Sequence, residues 1–286
     1  MDTRLDEIRE RSRKVWDAMA PGWERAGKET WEYSRPVSEW LVARVDPRPG
    51  QVILDLAAGL GETAFLAAPR VGPTGRVLVT DFAAGMLNAA RRRAAEFGVT
   101  NAEFRELDAE RMTLDAESVD GVVCRWGYML MADPAAAFRE THRVLRPGGR
   151  LAFSVFGPPE ANAVASLVGR ILVDERHTPP PAPGAPGIFA LSDQRRLRDL
   201  VDGAGFAPLE IQEVRFAWRF ASLLAYWQFL TEAAGAISPI LRGLTPEAQA
   251  KVQARLEDEG RPFRSGEGFV FPVLCLNATT RKAARA

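Results

Sequence analysis

The sequence predicts a doubly wound α/β domain built on a parallel sheet, and three observations predict it. Short apolar runs alternate with amphipathic stretches five times between residues 51 and 156, the rhythm of strand–helix crossovers. A glycine turn, Gly59-Leu60-Gly61, follows the first of those runs. An acidic residue, Asp81, ends the second run about twenty positions later.

The elements follow in order. Residues 5–45 read as helical, with Trp16, Trp23, Trp31, Tyr33 and Trp40 interleaved, and Pro21-Gly22 is expected to break the first helix. Residues 51–56 (QVILDL), entered through Pro49-Gly50, suit a strand buried on both faces. A short helix over 62–68 leads through Gly72-Pro73-Thr74-Gly75 to a second strand at 76–80. Over 84–97, Met86, Leu87, Ala90, Ala94 and Phe97 share one stripe, the mark of an amphipathic helix closed by Gly98. Residues 103–107 and 120–125 are the third and fourth strands. Asp133-Pro134 supplies a cap and a first-turn proline for a helix ending near Leu145. Pro147-Gly148-Gly149 then turns into a fifth strand, 150–156.

Beyond it, the proline-rich stretch 178–187 (TPPPAPGAPG) is a linker or one wall of a pocket. A helix at 193–204, a strand at 209–216, two helices within 221–260 and a last strand at 268–277 complete the chain.

Composition excludes several classes. Lys plus Arg equals Asp plus Glu at 37 each, so no net field attracts nucleic acid or anionic lipid. Cys124 and Cys275 sit in apolar runs and read as buried free thiols. With two histidines, a histidine-based metal centre is not expected, and His142 reads as a packed structural residue. The charged opening MDTRLDEIRERSRK is unlike a signal peptide, and the apolar stretch 220–231 is too short to span a bilayer. The expectation is a cytoplasmic protein with no nucleic-acid partner, no membrane span and no metal.

Ligands of such sheets lie at the carboxyl ends of the strands. Glycines in the turn let a ligand approach the backbone, and Asp81 would accept hydrogen bonds from both hydroxyls of a ribose. Every adenosine-containing cofactor shares these features. A dinucleotide would rest its pyrophosphate on the helix N-terminus. Asp55 near the strand end and Glu62 at the head of the helix disfavour that and suit a cationic group, such as the ammonium of a methionine moiety. Asp108, after the third strand, can accept from an adenine amino group.

The runs VILDLAAGLGETA, VTDFAAGMLNAA, ELDAERM and RVLRPGG, in that order, resemble the class I S-adenosylmethionine (SAM) dependent methyltransferases over about residues 45–156. The nearest branch resembles the ubiquinone/menaquinone-biosynthesis type. The resemblance implies a Rossmann-like seven-stranded sheet with a helical cap. The strands at 209–216 and 268–277 would then be its last two, the final one antiparallel. It implies a core of residues 46–218 and 266–286, an N-terminal helical cap segment at 1–45 and a helical insertion at 219–265 over the acceptor.

By the same resemblance, Ala57, Gly59 and Gly61 would line the methionine part of SAM, with Asp55 helping indirectly. Asp81 would hold the ribose, Phe82 and Met86 would flank the adenine, and Asp108 and Ala109 would meet its edge. Arg125 and Trp126 would lie beneath the sulfonium. Ala57 departs from the pattern, which most often has glycine there, and its small methyl is expected to be tolerated.

Tyr128, after the fourth strand, His177, before the proline-rich loop, and Trp23 and Trp227, among the cap aromatics, are the acceptor-site candidates. Each also fits a packing or surface role. Catalytic residues stay unnamed, because a sulfonium is already an activated leaving group and a base is needed only for an acceptor that must lose a proton. The leading expectation is O- or C-methylation of a small, largely apolar acceptor, giving S-adenosylhomocysteine (SAH). The alternatives are a SAM-binding protein with non-methyl chemistry or a structural use of the cofactor, and a nicotinamide-dependent oxidoreductase.

Overall fold

The structure is a computed structural model and describes residues 3–285. A long first helix, α1 (Thr3–Val45), precedes β1 (Val52–Leu56), α2 (Glu62–Val71), β2 (Arg76–Asp81), α3 (Ala84–Glu96) and β3 (Ala102–Glu106). Next come β4 (Val119–Arg125), α4 (Pro134–Val144), β5 (Leu145–Phe156), α5 (Ala163–Asp174) and α6 (Gln194–Gly203). The chain closes with β6 (Glu210–Phe220), α7 (Leu223–Ala233), α8 (Ile237–Arg242), α9 (Pro246–Glu259), β7 (Arg264–Ser265) and β8 (Gly268–Arg281).

The sheet runs β3-β2-β1-β4-β5-β8-β6, with the short β7 pairing only to β8 among the described residues. β8 is antiparallel to both its neighbours, while the pairs among β1 to β5 are parallel. This is the seven-stranded Rossmann-like arrangement. Every residue of β1 is buried, as a central parallel strand covered on both faces requires. Side chains of β4 and β5 alternate between the two layers. Arg125 donates to Ser34 of α1 at 2.7 Å, whereas Phe153 meets Phe138 of α4 edge-on at 5.3 Å.

Three expectations are corrected. First, Pro21-Gly22 does not break the first helix: α1 runs unbroken for 43 residues through Pro21 and Pro36. An interior proline costs about 3 kcal/mol, so packing must offset it. The packing is visible. Gly22 lies so close to α7 that an added Cβ would sit 2.3 Å from the Glu232 carbonyl. The Asp17 carbonyl, which Pro21 deprives of its helical donor, faces Gly85, whose N–H binds the Asp17 carboxylate at 2.8 Å.

Second, α5 fills a region the sequence left without an element. Its N-cap residue, Asn162, makes no capping bond and instead exchanges two hydrogen bonds with the Leu274 backbone of β8, at 3.0 and 3.1 Å. Third, residues 221–260 form three helices, since Gly235 at φ 60° separates α7 from α8. The last of these opens on Thr245-Pro246, a cap and first-turn proline that the sequence itself shows, with Thr245 accepting from the Ala248 N–H.

Candidate active site

The carboxyl ends of β1, β2, β3 and β4 open onto a cavity of about 1210 Å³. Its first wall is the turn after β1. Ala57, Gly59 and Gly61 all take left-handed backbone, at φ 53°, 56° and 81°. Gly59 is favoured by its left-handed backbone, and a Cβ there would meet nothing within 4 Å, which leaves open room in the cavity wall. Gly61 needs it for packing, since a Cβ would press within 2.6 Å of the Phe65 ring.

Asp81 closes the second wall. Its two oxygens accept from Gly59 N at 2.9 Å and Ala83 N at 3.0 Å. Burial pushes its carboxyl up to about 6, against the opposing pull of those N–H donors. Phe82 and Met86 continue this wall and pack with Trp16, Ala20 and Trp23 of α1. After β3, Asp108 accepts from Glu110 N at 2.9 Å, and Ala109 lines the cavity beside it. Arg125 and Trp126 end β4, the guanidinium 5.2 Å from the indole centroid.

Trp126 is strained. A bulky residue at φ 64° is a true outlier, and it stands where an outlier signals a functional constraint. Gly127 fits beside it only because it lacks a Cβ, which would lie 2.7 Å from both the Ala57 methyl and the Cys124 sulfur.

The structure thus brings Ala57, Gly59, Asp81, Phe82, Met86, Asp108, Ala109, Arg125, Trp126 and Trp23 around one space. Others fall elsewhere. Asp55 lies beneath the turn, accepts from Ala64 N at 2.9 Å and so fastens the start of α2; burial raises its carboxyl to about 7. Gly61 shapes the turn from behind.

Tyr128 is fully buried in the core, stacked on Phe138 at 4.1 Å and hydrogen-bonded to Thr141 at 2.6 Å. Burial lifts its phenol well above the ordinary value, and a ring enclosed in the core does not reach an acceptor in the cavity. Trp227 belongs to the apolar core, and His177 closes the end of α5 with its N–H on the Leu172 carbonyl. None of these three lines the cavity.

The charge argument also changes. Glu62 is buried under the turn and bridges Arg93 Nε at 2.8 Å and Arg125 at 2.9 Å, so two guanidinium groups compensate it. The negative charge that faces the cofactor end comes from Asp81, Asp108 and Glu110.

Glu110 and Arg9 are site residues that the sequence pattern does not single out. Glu110 is buried, binds Arg9 of α1 and accepts from the backbone N–H groups of Ala132 and Asp133 at 2.8 and 2.9 Å. Trp16 is a further site residue missing from the sequence-derived set. It stands seven residues before Trp23, hence on the same helical face, and that spacing is a signal the sequence carries.

Among the described residues no cluster of His, Cys, Asp or Glu could hold a metal ion, and no helix is long and apolar enough to cross a membrane.

Strand order, the left-handed turn after β1 and the acid ending β2 define a Rossmann-like class I fold. A family described as a methyltransferase domain matches residues 53–149. Nocamycin O-methyltransferase of Saccharothrix syringae is 30% identical over 259 residues, 82% of this chain and 91% of that protein. The chain therefore belongs to the class I SAM-dependent methyltransferases.

The ubiquinone/menaquinone biosynthesis C-methyltransferase of Coxiella burnetii is 38% identical over 122 residues, 42% of this chain and 49% of that one. The match to that relative thus spans about half of each chain. Among solved structures, the cyclase SpnF shares the fold with a TM-score of 0.57 at 18% identity, over 87% of this chain and 82% of its own.

Proposed function

We propose that this enzyme transfers a methyl group from SAM to an oxygen or carbon of a small, largely apolar acceptor, leaving SAH. One observation carries the reading: the cofactor-side residues and a second, apolar set line the same cavity. At about 1210 Å³ the cavity exceeds the roughly 300–1,000 Å³ of a single-ligand pocket. Two ligands fit that space better than one.

The residues present suit SAM. Gly59 leaves open room where a side chain would stand, and Asp81 offers a carboxylate at the end of β2 for ribose hydroxyls. In this reading Phe82 and Met86 flank the adenine, and Asp108 and Ala109 take its edge. Ala57 and Gly59 border the methionine part, Asp55 and Gly61 hold the turn from beneath, and Arg125 and Trp126 floor the sulfonium end. SAM supplies a methyl group already activated by the sulfonium charge. The protein's own contribution is orientation and exclusion of water.

α1 and the helices within 219–265 act as the cap over the acceptor. α5 and the proline-rich stretch complete it, since Val168, Leu172, Pro180 and Pro186 stand in the cavity wall. Buried, unpaired Cys124 and Cys275 fit a reducing compartment, and we place the enzyme in the cytoplasm.

Thermal melts with SAM, SAH and NAD(H) in turn test the reading. SAM and SAH at about a hundred times their dissociation constants are expected to add roughly 2.7 kcal/mol of stability. A shift with NAD(H) alone would overturn it. SAH formed during turnover with an acceptor separates methyl transfer from other uses of the cofactor.

A further inference from the structure

Four arginines line the cavity among the described residues: Arg9, Arg125, Arg170 and Arg196. Three are compensated. Arg9 pairs with Glu110, Arg125 with Glu62, and Arg170 with Glu259 at 2.5 Å. The Arg196 guanidinium alone has no ion pair and no hydrogen bond to any described residue, although the residue is half-buried in the first turn of α6. Its guanidinium lies against the proline-rich stretch, where one nitrogen is 3.9 Å from the position a Gly184 Cβ would occupy. Gly184 is left-handed at φ 77°, so a side chain is disfavoured there and the flank of Arg196 stays clear.

The cavity lining is mostly apolar; of its carboxylates nearest in sequence to Arg196, Asp174 pairs with Arg170 and Arg255, and Asp193 caps α6 through the Arg195 N–H. Pro181 and Pro186 stand on the same stretch, Ile188 follows it, and Val168 and Leu172 of α5 line the cavity too. Facing rings come from Trp218 and Phe229, in edge-to-face contact at 5.1 Å, and Trp218 meets Trp126 edge-on at 6.2 Å. A partnerless guanidinium on an apolar cavity wall is a receptor for an anion, since a fork of N–H donors matches a carboxylate, sulfonate or enolate oxygen pair.

We infer that the acceptor is an amphipathic anion, with an apolar body held between the aromatic and proline walls and a negatively charged group received by Arg196. The inference rests on the methyltransferase reading of the cavity and names the class of substrate it takes. Asp81, Asp108 and Glu110, carboxylates that also line the cavity, would repel that group. The charged end therefore orients the acceptor and leaves its apolar body toward the cofactor.

The test uses two fluorescent probes on the full-length protein saturated with SAH. One is 8-anilinonaphthalene-1-sulfonate, and the other is N-phenyl-1-naphthylamine, the same body without the sulfonate. Arg196→Gln is expected to weaken the sulfonate probe about tenfold, the worth of a charged hydrogen bond, and to leave the neutral probe unchanged. Arg196→Lys should recover part of the loss. Gly169→Trp fills the cavity from α5, where a Cβ meets nothing within 4 Å, and should expel both probes.

An unchanged sulfonate affinity in Arg196→Gln, or an equal loss for both probes, would overturn the inference. Sulfonate binding that survives Gly169→Trp, or that never occurs, counts against it equally. Failure of SAH to bind the wild-type protein would instead strike the methyltransferase reading, and calorimetry of SAH alone registers that separately.

Discussion

Ala57 holds a conformation, φ 53°, that costs an L-residue about 1–2 kcal/mol, and its methyl packs against Gly127. Ala57→Gly should therefore stabilise the protein by about 0.5–1 kcal/mol in urea denaturation, after the extra unfolded-state entropy of glycine is subtracted, and leave SAH binding intact. Asp81→Ala should weaken SAM by roughly 1–3 kcal/mol in calorimetric titration. An undiminished affinity would remove Asp81 from the ribose.

Two buried acids, Asp55 and Asp81, set a pH dependence. Burial raises Asp55 to about 7 and Asp81 to about 6, so the folded chain holds protons that the unfolded chain has released. Stability from these groups is greatest below the unfolded value of about 4 and declines as pH rises through 6 to 7. Each tenfold by which folding strengthens proton binding is worth about 1.4 kcal/mol. Asp55→Asn keeps an oxygen for the Ala64 N–H and removes the titration, so its profile between about pH 5 and 7.5 should be flatter than wild type. SAH affinity should run the opposite way and fall as Asp81 protonates below about pH 6.

Asp81, Asp108 and the glycines are legible in the sequence because each follows directly from a strand end. The role of Glu62 is not, because its partners, Arg93 and Arg125, lie 31 and 63 residues away in sequence.

At the scale of elements, Glu62 fastens α2 to α3 through Arg93 and to β4 through Arg125, which itself reaches Ser34 and Ser38 of α1. Glu62→Ala strands two nearly buried guanidinium groups and is expected to cost about 3–5 kcal/mol in urea denaturation. Removing Glu232, whose ion pair with Arg25 is exposed, should cost at most about 1 kcal/mol. A small loss for Glu62→Ala would show that the bolt is not structural. The unbroken α1 is the clearest failure of local reading. Pro21-Gly22 carries a valid stop signal, but α7, about two hundred residues later, packs on Gly22 and holds the helix through it. Gly22→Val should accordingly destabilise the α1–α7 contact by about 1–3 kcal/mol, seen as a lowered urea midpoint. Strands and caps need only local information, so their order and the Asp133 and Thr245 caps are recoverable from sequence.

Across the whole molecule, one cavity joins a half that the sequence spells out to a half that it does not. The half we propose for the cofactor comes from consecutive strand ends between residues 56 and 126, so its residues share a readable pattern. The half we propose for the acceptor draws single residues from α1, α5, α7, α8, β6 and the proline-rich stretch, and only folding brings them together. Tyr128, His177 and Trp227 are plausible by composition, yet they point into the core or away, while Trp218, Phe156 and Arg196 line the space instead.

The central claim is that the two halves are successive compartments of a single methyl-transfer site. A crystal structure of the SAH complex tests it most directly. The account predicts ribose hydroxyls on Asp81, adenine between Phe82 and the Asp108–Ala109 edge, and the sulfur beside Trp126 facing the open aromatic half. A sulfur turned away from that half, or a ribose bound apart from Asp81, would contradict it.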